Sequence, residues 1–425
     1  MGIGDQAMKL IEKLSFQRIS GTTGEHQAAR ILLNELERIG LRGWLEPFPV
    51  RCGHVVKATL ETLPDGAAIA CTGYELSASV EALEGELLYV EQLQPALLAQ
   101  AKGKIVLMDG KLTNANYHQL VEAGAVGFIT YMGKFWDQFS IQDFNQPRLK
   151  DLQLSMQAIP GIQIHARDAI SLITSGCKRV RISLDLCEFP GQSHNVVAEI
   201  LGTEHPEEVI AFTAHYDTVG NSIGPYDNAS GSAMMFELAR IFAAYPGKRT
   251  MRFIWCGSEE AGLEGARAYV NHHANELDSI QLVINGDLLG AVMGSDYVIA
   301  MADDLLLEYL RKLTEMEHFP AIVTRHAMPS DCTVFADAGV PAVGFGRYGT
   351  PETAGMHDCN DQIVFLSAAA MERTIIFAYR FCREMSDCET LPFSRTIPEE
   401  LKRMIDQYLY NDFRKELKRE KKMPY

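Results

Sequence analysis

The fold is decided by residues 209–245, which read VIAFTAHYDTVGNSIGPYDNASGSAMMFELARIFAAY. An apolar run of strand length, residues 209–215, is followed after a polar segment by an apolar stretch of helix length, residues 231–245. Three further apolar runs follow at intervals that leave room for helices: MRFIWCG (251–257), QLVING (281–286) and PAVGFG (341–346). Strands that alternate with helices predict an α/β fold, with a mixed, mostly parallel sheet flanked by helices.

The chain before residue 190 has a different texture. Residues 24–39 predict a helix that ends at Gly40, with one apolar face formed by Ala28, Ile31, Leu32, Leu36 and Ile39. Between about residue 52 and residue 189 the chain consists of short β-rich runs such as GELLYVE and KIVLMDG. The 425 residues exceed what one core ordinarily accommodates, which is about 250–300 residues. We therefore expect a larger α/β domain made of residues 1–51 and 190–390, interrupted by a smaller β-rich inserted domain, residues 52–189.

A further segment, residues 391–425, has the pattern of a basic amphipathic helix. Apolar side chains recur at helical spacing at Leu401, Met404, Ile405, Tyr408, Leu409, Phe413 and Leu417. Thr396 and Glu399 have the spacing of a capping box that would start this helix. We expect the helix to pack on its own domain, and the alternative is a contact between subunits of a homo-oligomer.

Composition and charge restrict the class of protein. Hydrophobic residues make up 47% of the chain and charged residues 22%, as in folded soluble proteins. The net charge of -16 opposes binding to nucleic acid or to an anionic membrane, since both carry dense negative charge. The nine cysteines include no CxxC pair, which favours reduced thiols, and the first residues lack the pattern of a secretory signal. We therefore expect a cytoplasmic protein without membrane or nucleic-acid partners.

Residues that bind metals or transfer protons follow several of the apolar runs. Parallel strands end at one edge of a sheet, which is where the active sites of such folds lie. The candidates are His215 and Asp217 at the first run, Asp227 in YDNASG, Glu259 and Glu260 after the second run, Asp287 after the third, and His357 beyond the fourth. Their convergence predicts a metal site, and histidine combined with carboxylates suits Zn2+, Mn2+ or Co2+.

The spacing of these residues suggests what each does. Asp217 lies two positions after His215 and therefore on the same side of a strand, where a carboxylate can orient the imidazole of a metal-bound histidine. Adjacent side chains point in different directions, so one of Glu259 and Glu260 is expected to bind metal and the other to accept a proton. The ligands outnumber the roughly three that one catalytic zinc takes from a protein. We therefore expect two ions that share the carboxylate of Asp227.

The motifs HxD, DNASG, EE, a later aspartate and a final histidine, in this order, resemble the M28 family of zinc aminopeptidases over roughly residues 1–50 and 190–385. The resemblance implies the zinc exopeptidase (phosphorylase/hydrolase-like) fold, two zinc ions per chain, and a peptide substrate from which terminal residues are hydrolysed. It also implies that His215 and Asp287 bind one ion, Glu260 and His357 the other, and Asp227 both, with Glu259 as general base and Asp217 as the orienting carboxylate.

The insert resembles a protease-associated domain, for which GKIVLMDG (103–110), a helix near residues 118–123 and AGAVGFITYM (123–132) are typical. Its position before the HxD motif fits M28 enzymes better than the related M20 family, in which the extra domain follows the double glutamate. One motif departs from the M28 pattern, since the family often has YHTxxD at its last ligand and this chain has MHDCND (356–361). The departure concerns the substrate pocket and leaves His357 in place.

Four alternatives are weighed against this interpretation. Arg347 could bind a substrate carboxylate with two hydrogen bonds, as a carboxypeptidase requires, and Asp331 and Tyr348 could border the same pocket.

Glutaminyl cyclases resemble M28 enzymes and use one zinc. GNSIG (220–224) matches the GxSxG motif of serine hydrolases, but that motif joins a strand directly to a helix, and the residues after it indicate a loop. Receptor-like relatives of the family lose ligands, whereas this chain keeps all five together with the general base.

Overall fold

The computed structural model describes residues 2–138, 144–350 and 352–410. The chain divides into two compact units, Met1–Val50 with Gly191–Tyr425, and Arg51–Pro190. None of the helices in the described ranges has the length and apolar character that crossing a membrane requires. In chain order, the α-helices and β-strands of these ranges are α1 (Ile3–Leu14), α2 (Thr23–Arg38), β1 (Gly43–Leu63), β2 (Ala68–Ile69), β3 (Cys71–Gly73), β4 (Val80–Val90), α3 (Pro95–Leu98), β5 (Ile105–Met108), α4 (Asn114–Glu122), β6 (Gly127–Met132), α5 (Asp151–Leu154), β7 (Gly161–His165), α6 (Ala166–Thr174), β8 (Arg179–Ile200), β9 (His205–His215), α7 (Ser230–Ala244), β10 (Arg249–Cys256), α8 (Glu264–His272), β11 (Ile280–Gly286), β12 (Ser295–Met301), α9 (Asp304–Met316), β13 (Ala321–Arg325), α10 (Cys332–Asp337), β14 (Ala342–Tyr348), α11 (Ala368–Asp387) and α12 (Glu399–Tyr410).

The first unit is built on a sheet with the strand order β13-β12-β14-β11-β9-β10-β8. The central strands β14, β11, β9 and β10 run parallel to each other. At the two sides, β8 pairs antiparallel with β10, and β12 pairs antiparallel with β14. The prediction of a mixed, mostly parallel sheet flanked by helices is therefore confirmed.

Alternate residues of β9 lie in two separate cores. Ile210, Phe212 and Ala214 belong to the core formed with α1, α2, α7, α9 and α11, whereas Val209 and Ala211 belong to the core formed with α8, α10 and α12. Burial of each large apolar side chain contributes about 1.5–3 kcal/mol. Because helices cover both faces of the strand, residues 209–212 are apolar on both sides.

The predicted helix at residues 24–39 is confirmed as α2. Ala28, Leu32 and Leu36 are buried on its inner face. Gly40 has a φ of 79°, the left-handed conformation in which glycine commonly ends a helix.

The C-terminal helix α12 begins at Glu399, so the predicted capping box is wrong. Pro398 directly precedes the helix, and the Thr396 hydroxyl pairs with Ser394 Oγ at 2.7 Å instead. The buried residues of α12 belong to the same core as those of α8 and α10, so the helix packs on its own unit. The predicted apolar positions Phe413 and Leu417 lie outside the described residues.

The second unit contains β3 to β7 and the first part of β8. The first part of β8 pairs antiparallel with β4, and β4, β5, β6 and β7 follow as parallel neighbours, with β3 antiparallel to β7. Buried apolar side chains cover both faces, with Val106 and Phe128 in one cluster and Ile105 and Ile129 in the other. The identity of this unit as a protease-associated domain stays a prediction.

Gly231 allows the first turn of α7 to lie against the end of β11. A Cβ atom at this position would be 2.0 Å from the carbonyl oxygen of Gly286, so alanine would require the helix to shift. Overpacking of this kind costs about 1–3 kcal/mol. We expect Gly231→Ala to lower the free energy of unfolding by about that amount in urea denaturation, and an unchanged value would contradict the close approach of helix and strand.

Candidate metal centre

Three strands bring the candidate residues to one edge of the sheet. His215 is the last residue of β9, and its register partner is Cys256, the last residue of β10. β11 ends at Gly286, directly before Asp287. Because the three strands are parallel neighbours, the residues at and after their ends enter the same region, as the sequence predicted.

The side chains form two donor groups that share Asp227. In the first group, His215 Nε2 lies 3.2 Å from Asp227 Oδ1 and 3.6 Å from Asp287 Oδ1. In the second group, His357 Nε2 lies 2.9 Å from Asp227 Oδ2 and 3.3 Å from Glu260 Oε1. The two oxygens of Asp227 thus face different groups, which is the arrangement that a bridging carboxylate requires.

Both groups fit zinc. Nitrogen and oxygen ligands bind zinc at about 2.0–2.2 Å, and tetrahedral geometry then separates ligand atoms by about 3.3–3.6 Å. The distances within the two groups are close to this range. Asp287 Oδ1 is buried and has no hydrogen-bond partner, so a cation would supply the partner that a buried polar atom needs.

The two groups differ in their access to solvent. The His215 side chain is 2% exposed, whereas the His357 side chain is 47% exposed. The second group therefore lies on the side of the site that a substrate can reach.

The charge around both histidines is strongly negative. Burial lowers the pKa of His215, but the surrounding carboxylates of Asp217, Asp227 and Asp287 outweigh burial and raise this pKa well above its ordinary value. The charge of Glu260 likewise raises the pKa of His357 well above its ordinary value, against the effect of burial. The same excess of negative charge attracts divalent cations.

Asp217 connects the first donor group to the glutamates. Its Oδ1 lies 3.5 Å from His215 Nδ1, the position of a carboxylate that orients a metal-binding histidine. Its two oxygens also accept hydrogen bonds from the backbone N–H groups of Glu259, at 2.9 Å, and Glu260, at 3.1 Å. One carboxylate therefore fixes an imidazole and the backbone of both glutamates relative to each other.

The adjacent glutamates occupy different positions. Glu260 belongs to the second donor group, whereas Glu259 belongs to neither group. Glu259 is 9% exposed, and its negative charge contributes to the raised pKa of His215. Because the Glu259 carboxylate does not belong to either donor group, it can transfer protons.

Asp361 is a site residue that the sequence analysis missed. It is fully buried, and its two carboxylate oxygens accept hydrogen bonds from the backbone N–H groups of Tyr226, at 2.9 Å, and Asp227, at 3.0 Å. Because Asp361 follows His357 in the same loop, it links the backbone of the shared ligand to the loop of another ligand. In the sequence, Asp361 is the last aspartate of MHDCND. The sequence does not show which backbone N–H groups this carboxylate binds.

Asn228 holds the other side of the shared ligand. Its Nδ2 donates to the carbonyl oxygen of Gly286 at 2.9 Å, and its Oδ1 accepts from the backbone N–H of Gly231 at 2.8 Å. These contacts tie the segment that carries Asp227 to the end of β11 and hence to Asp287.

Asp361→Asn is expected to weaken zinc binding about 10- to 100-fold, the usual effect of removing a group that holds a metal ligand in place. The amide nitrogen would face one of the two backbone N–H donors and leave it without an acceptor. The affinity can be measured by zinc competition with a chromogenic chelator. Asp358→Asn is the matched control, because Asp358 lies in the same loop and accepts from the N–H of Asn360. Equal affinities for Asp361→Asn and the wild type would contradict this role.

Arg347 lies inside the fold, in contrast to its predicted role as a carboxylate clamp. It is 9% exposed. Its guanidinium donates to Asp296 Oδ2 at 2.8 Å and to the carbonyl oxygen of Ala291 at 2.6 Å. A substrate carboxylate would have to displace a buried ion pair to reach it.

Asp331 and Tyr348, the other predicted pocket residues, have different surroundings. Asp331 is fully buried. Burial raises its pKa to about 7, and the charges of Asp217 and Asp287 act in the same direction. It therefore lies in the interior rather than at the border of a pocket. The Tyr348 hydroxyl lies beside Gly346, as does the carbonyl oxygen of Asp287, and burial followed by the charge of Asp287 raises the pKa of Tyr348.

The GxSxG match does not form the turn of a serine hydrolase. In those enzymes the nucleophilic serine stands at the end of a strand. Here β9 already ends at His215, and Ser222 is 1% exposed in the loop that follows. Its Oγ accepts a hydrogen bond from the N–H of Gly224, so Ser222 has a structural role in this loop.

Residues 195–381 match the model of Peptidase family M28. The chain is 28% identical over 374 residues to Aminopeptidase YwaD of Bacillus subtilis (strain 168), which covers 84% of this chain and 78% of that protein. It is 26% identical over 347 residues to Carboxypeptidase Q of Homo sapiens, which covers 76% of this chain and 72% of that protein.

Among solved structures, the chain is similar to BSAP, a zinc aminopeptidase from Bacillus subtilis. The TM-score is 0.73 at 26% sequence identity, and the match covers 94% of this chain and 98% of that chain. The likeness therefore extends over both units and includes the region of the two donor groups.

Proposed function

We propose that this chain, whose residues 195–381 match the model of peptidase family M28, is an aminopeptidase that holds two zinc ions. The family match and the similarity to zinc aminopeptidases make it a metal-dependent exopeptidase. The proposed ligands are His215, Asp227, Glu260, Asp287 and His357. The observation that carries the two-ion proposal is that Asp227 belongs to both donor groups.

In the proposed reaction, Glu259 acts first as general base and then as general acid. Zinc ions held by the proposed ligands would supply positive charge that lowers the pKa of a water molecule and polarises the scissile carbonyl. Glu259 takes the proton of the water as its oxygen bonds to the carbonyl carbon, and returns the proton to the amine nitrogen as the carbon–nitrogen bond breaks. The hydrogen bond from the N–H of Glu259 to Asp217 keeps the carboxylate in place during both transfers.

Two observations support cleavage at the amino end. The similarity to the aminopeptidase of Bacillus subtilis extends over more of the chain than the similarity to carboxypeptidase Q. In addition, Arg347 is paired with Asp296, so the cation that a carboxypeptidase would use is already occupied.

A panel of blocked peptides tests the proposal. We expect hydrolysis of leucine p-nitroanilide and of peptides with a free amino end and an amidated carboxyl end, and no hydrolysis of peptides with an acetylated amino end. A chelator such as 1,10-phenanthroline should abolish activity, and added zinc should restore it. Cleavage of the acetylated peptides alone would instead favour a carboxypeptidase, and activity that resists metal removal would refute the metal mechanism.

Arg347→Ala is expected to destabilise the protein without changing which end of the peptide is cleaved. Arg347 donates to Asp296, whose side chain is 1% exposed, and to the carbonyl oxygen of Ala291, and loss of these donors to buried acceptors costs about 1–3 kcal/mol while Arg373 remains beside Asp296. The free energy of unfolding can be measured in urea. Arg373→Ala is the matched control: Arg373 also pairs with Asp296, but its side chain is 42% exposed, so its loss should cost less than about 1 kcal/mol. Unchanged stability with a specific loss of carboxyl-end cleavage would support the clamp after all.

A further inference from the structure

Glu25 is an acidic side chain in the interior of the first unit, near the start of α2. It is fully buried, although glutamate is almost never fully buried without partners. The helix that carries it is fixed by the core, to which Ala28, Leu32 and Leu36 of the same helix belong. The position of the Glu25 carboxylate is therefore set by the packing of α2.

The Glu25 carboxylate accepts hydrogen bonds from three donors. Its Oε2 accepts from the N–H of Gly21 at 2.7 Å, and its Oε1 accepts from Ser193 Oγ at 2.8 Å and from Ser258 Oγ at 2.9 Å. Ser193 belongs to β8, whereas Ser258 follows the last residue of β10 by two positions. Glu25 therefore connects α2 to the segment that leads from β10 to the two glutamates of the site.

Ser258 directly precedes the proposed base Glu259 and has a strained backbone. Its φ is 57°, the left-handed conformation that is disfavoured for residues with a Cβ atom. Strain of this kind persists only where the surrounding contacts hold the residue in place. Ser258 is fully buried, and its hydroxyl donates to Glu25 and accepts from Ser20 Oγ at 2.6 Å. These side-chain contacts stabilise the unusual backbone of Ser258.

The backbone after Ser258 folds into a turn that carries Glu259. The N–H groups of Gly262 and Leu263 donate to the carbonyl oxygen of Glu259 at 2.8 and 2.7 Å. The N–H of Glu264 donates to the carbonyl oxygen of Ser258 at 3.1 Å. A change in the φ of Ser258 would rotate this turn relative to β10 and displace the Glu259 carboxylate with it. A displacement of about 1 Å at a catalytic group can lower the rate about 100-fold.

We propose that Glu25 is a positioning residue for the catalytic base: it holds Ser258 in the left-handed conformation and thereby directs the Glu259 carboxylate towards the reacting water. This inference rests on the proposed function. Asp217 holds the backbone of Glu259 from the side of the first donor group, and Glu25 holds the preceding residue from the side of α2. Glu25 lies outside residues 195–381, which match the family model.

The first test compares Glu25→Ala with the double variant Glu25→Ala/Ser258→Gly. Glu25→Ala should lower kcat for leucine p-nitroanilide about 10- to 100-fold, at unchanged KM and zinc content, because Glu25 belongs to neither donor group. Glycine adopts a positive φ without penalty. The double variant should therefore regain about 5- to 30-fold in kcat, the factor by which the left-handed conformation is disfavoured for residues with a Cβ atom.

Two further variants serve as controls for Glu25→Ala. Glu25→Gln should keep kcat within about threefold of the wild type, because the amide oxygen can still accept from the Ser258 hydroxyl. Glu37→Ala should leave kcat and KM unchanged, because Glu37 is exposed on the same helix.

Hydrogen exchange examines the same turn without a substrate. In the wild type, the amide hydrogens of Gly262 and Leu263 are bonded to the carbonyl oxygen of Glu259. We expect them to exchange about 5- to 30-fold faster in Glu25→Ala and to regain their protection in Glu25→Ala/Ser258→Gly. The measurement is mass spectrometry of the peptide that covers residues 257–265.

A pair of substitutions at Ser258 decides the question if Glu25→Ala does not fold. Ser258→Ala and Ser258→Gly both remove the hydroxyl and leave Glu25 with its contacts to Ser193 and Gly21, but only glycine relieves the backbone strain. kcat should therefore be about 5- to 30-fold higher in Ser258→Gly than in Ser258→Ala. Equal kcat values in these two variants would overturn the proposal.

Failure of this inference and failure of the proposed function give different results. If the wild type hydrolyses leucine p-nitroanilide and Glu25→Ala stays within about twofold of it in kcat and amide exchange, Glu25 has no positioning role and the peptidase function stands. A loss of kcat that Ser258→Gly does not restore would also overturn the role of Glu25, because it would then act on stability alone.

A wild-type protein without peptidase activity would refute the proposed function. Faster amide exchange in Glu25→Ala, reversed by Ser258→Gly, would even then show that Glu25 holds the turn. Unchanged exchange in an inactive protein would refute both proposals.

Discussion

Glu259→Gln is expected to lower kcat by about 10²–10⁴-fold, the usual contribution of a positioned general acid–base group. The amide cannot accept the proton of the attacking water, but it preserves the size of the side chain. Zinc content should stay at the wild-type level, because Glu259 belongs to neither donor group. The measurement combines steady-state kinetics on leucine p-nitroanilide with metal analysis of the same sample.

The adjacent residue provides the matched comparison. Glu260 Oε1 lies 3.3 Å from His357 Nε2 in the second donor group, so Glu260→Gln should lose activity together with metal. A loss in kcat below about tenfold in Glu259→Gln would mean that Glu259 is not the base. Loss of metal in both variants would mean that the two glutamates do not have separate roles.

Asp227→Asn is expected to have the second large effect, because it removes the one ligand that both groups share. Asp227 Oδ1 faces His215 and Asp227 Oδ2 faces His357, whereas asparagine offers a single carbonyl oxygen and an NH2 group that cannot bind a cation. Zinc content should fall to one ion per chain or less, and kcat/KM should fall by at least about 10²–10³-fold, since charge stabilisation of the transition state depends on the ions.

An exposed aspartate serves as the control for this substitution. The Asp278 side chain is 99% exposed and pairs with Arg395, so Asp278→Asn should keep both metal content and activity. If Asp227→Asn retained two ions and near-wild-type turnover, the two groups would not depend on a shared carboxylate.

The sequence predicts the edge of the sheet well because strand ends are local features. The apolar runs that contain β9, β10 and β11 each stop at or just before a polar candidate, and parallel neighbours must present these candidates together. Asp227 was more difficult, because it lies in a loop whose path depends on contacts between distant residues. The number of candidate ligands predicted that it is shared by two ions, and the family resemblance implied the same role.

The sequence could not predict features that depend on pairing between distant segments. Asp296 and Arg347 are register partners of the antiparallel strands β12 and β14, and this pairing turns a potential substrate ligand into a buried structural group. Asp361 is informative only when the backbone it accepts from is known. The sequence also did not predict that α12 begins at Glu399. The Thr396 hydroxyl pairs with Ser394 Oγ and therefore does not cap the helix.

We propose that two metal ions share Asp227, and anomalous X-ray diffraction at the zinc absorption edge can locate both ions. We predict two peaks per chain about 3.5–4 Å apart, one beside His215 and Asp287 and the other beside Glu260 and His357, with Asp227 between them. A cyclase-like enzyme with one zinc would give a single peak per chain at full zinc occupancy. That result, or peaks away from these five residues, would rule out a pair of ions that share Asp227.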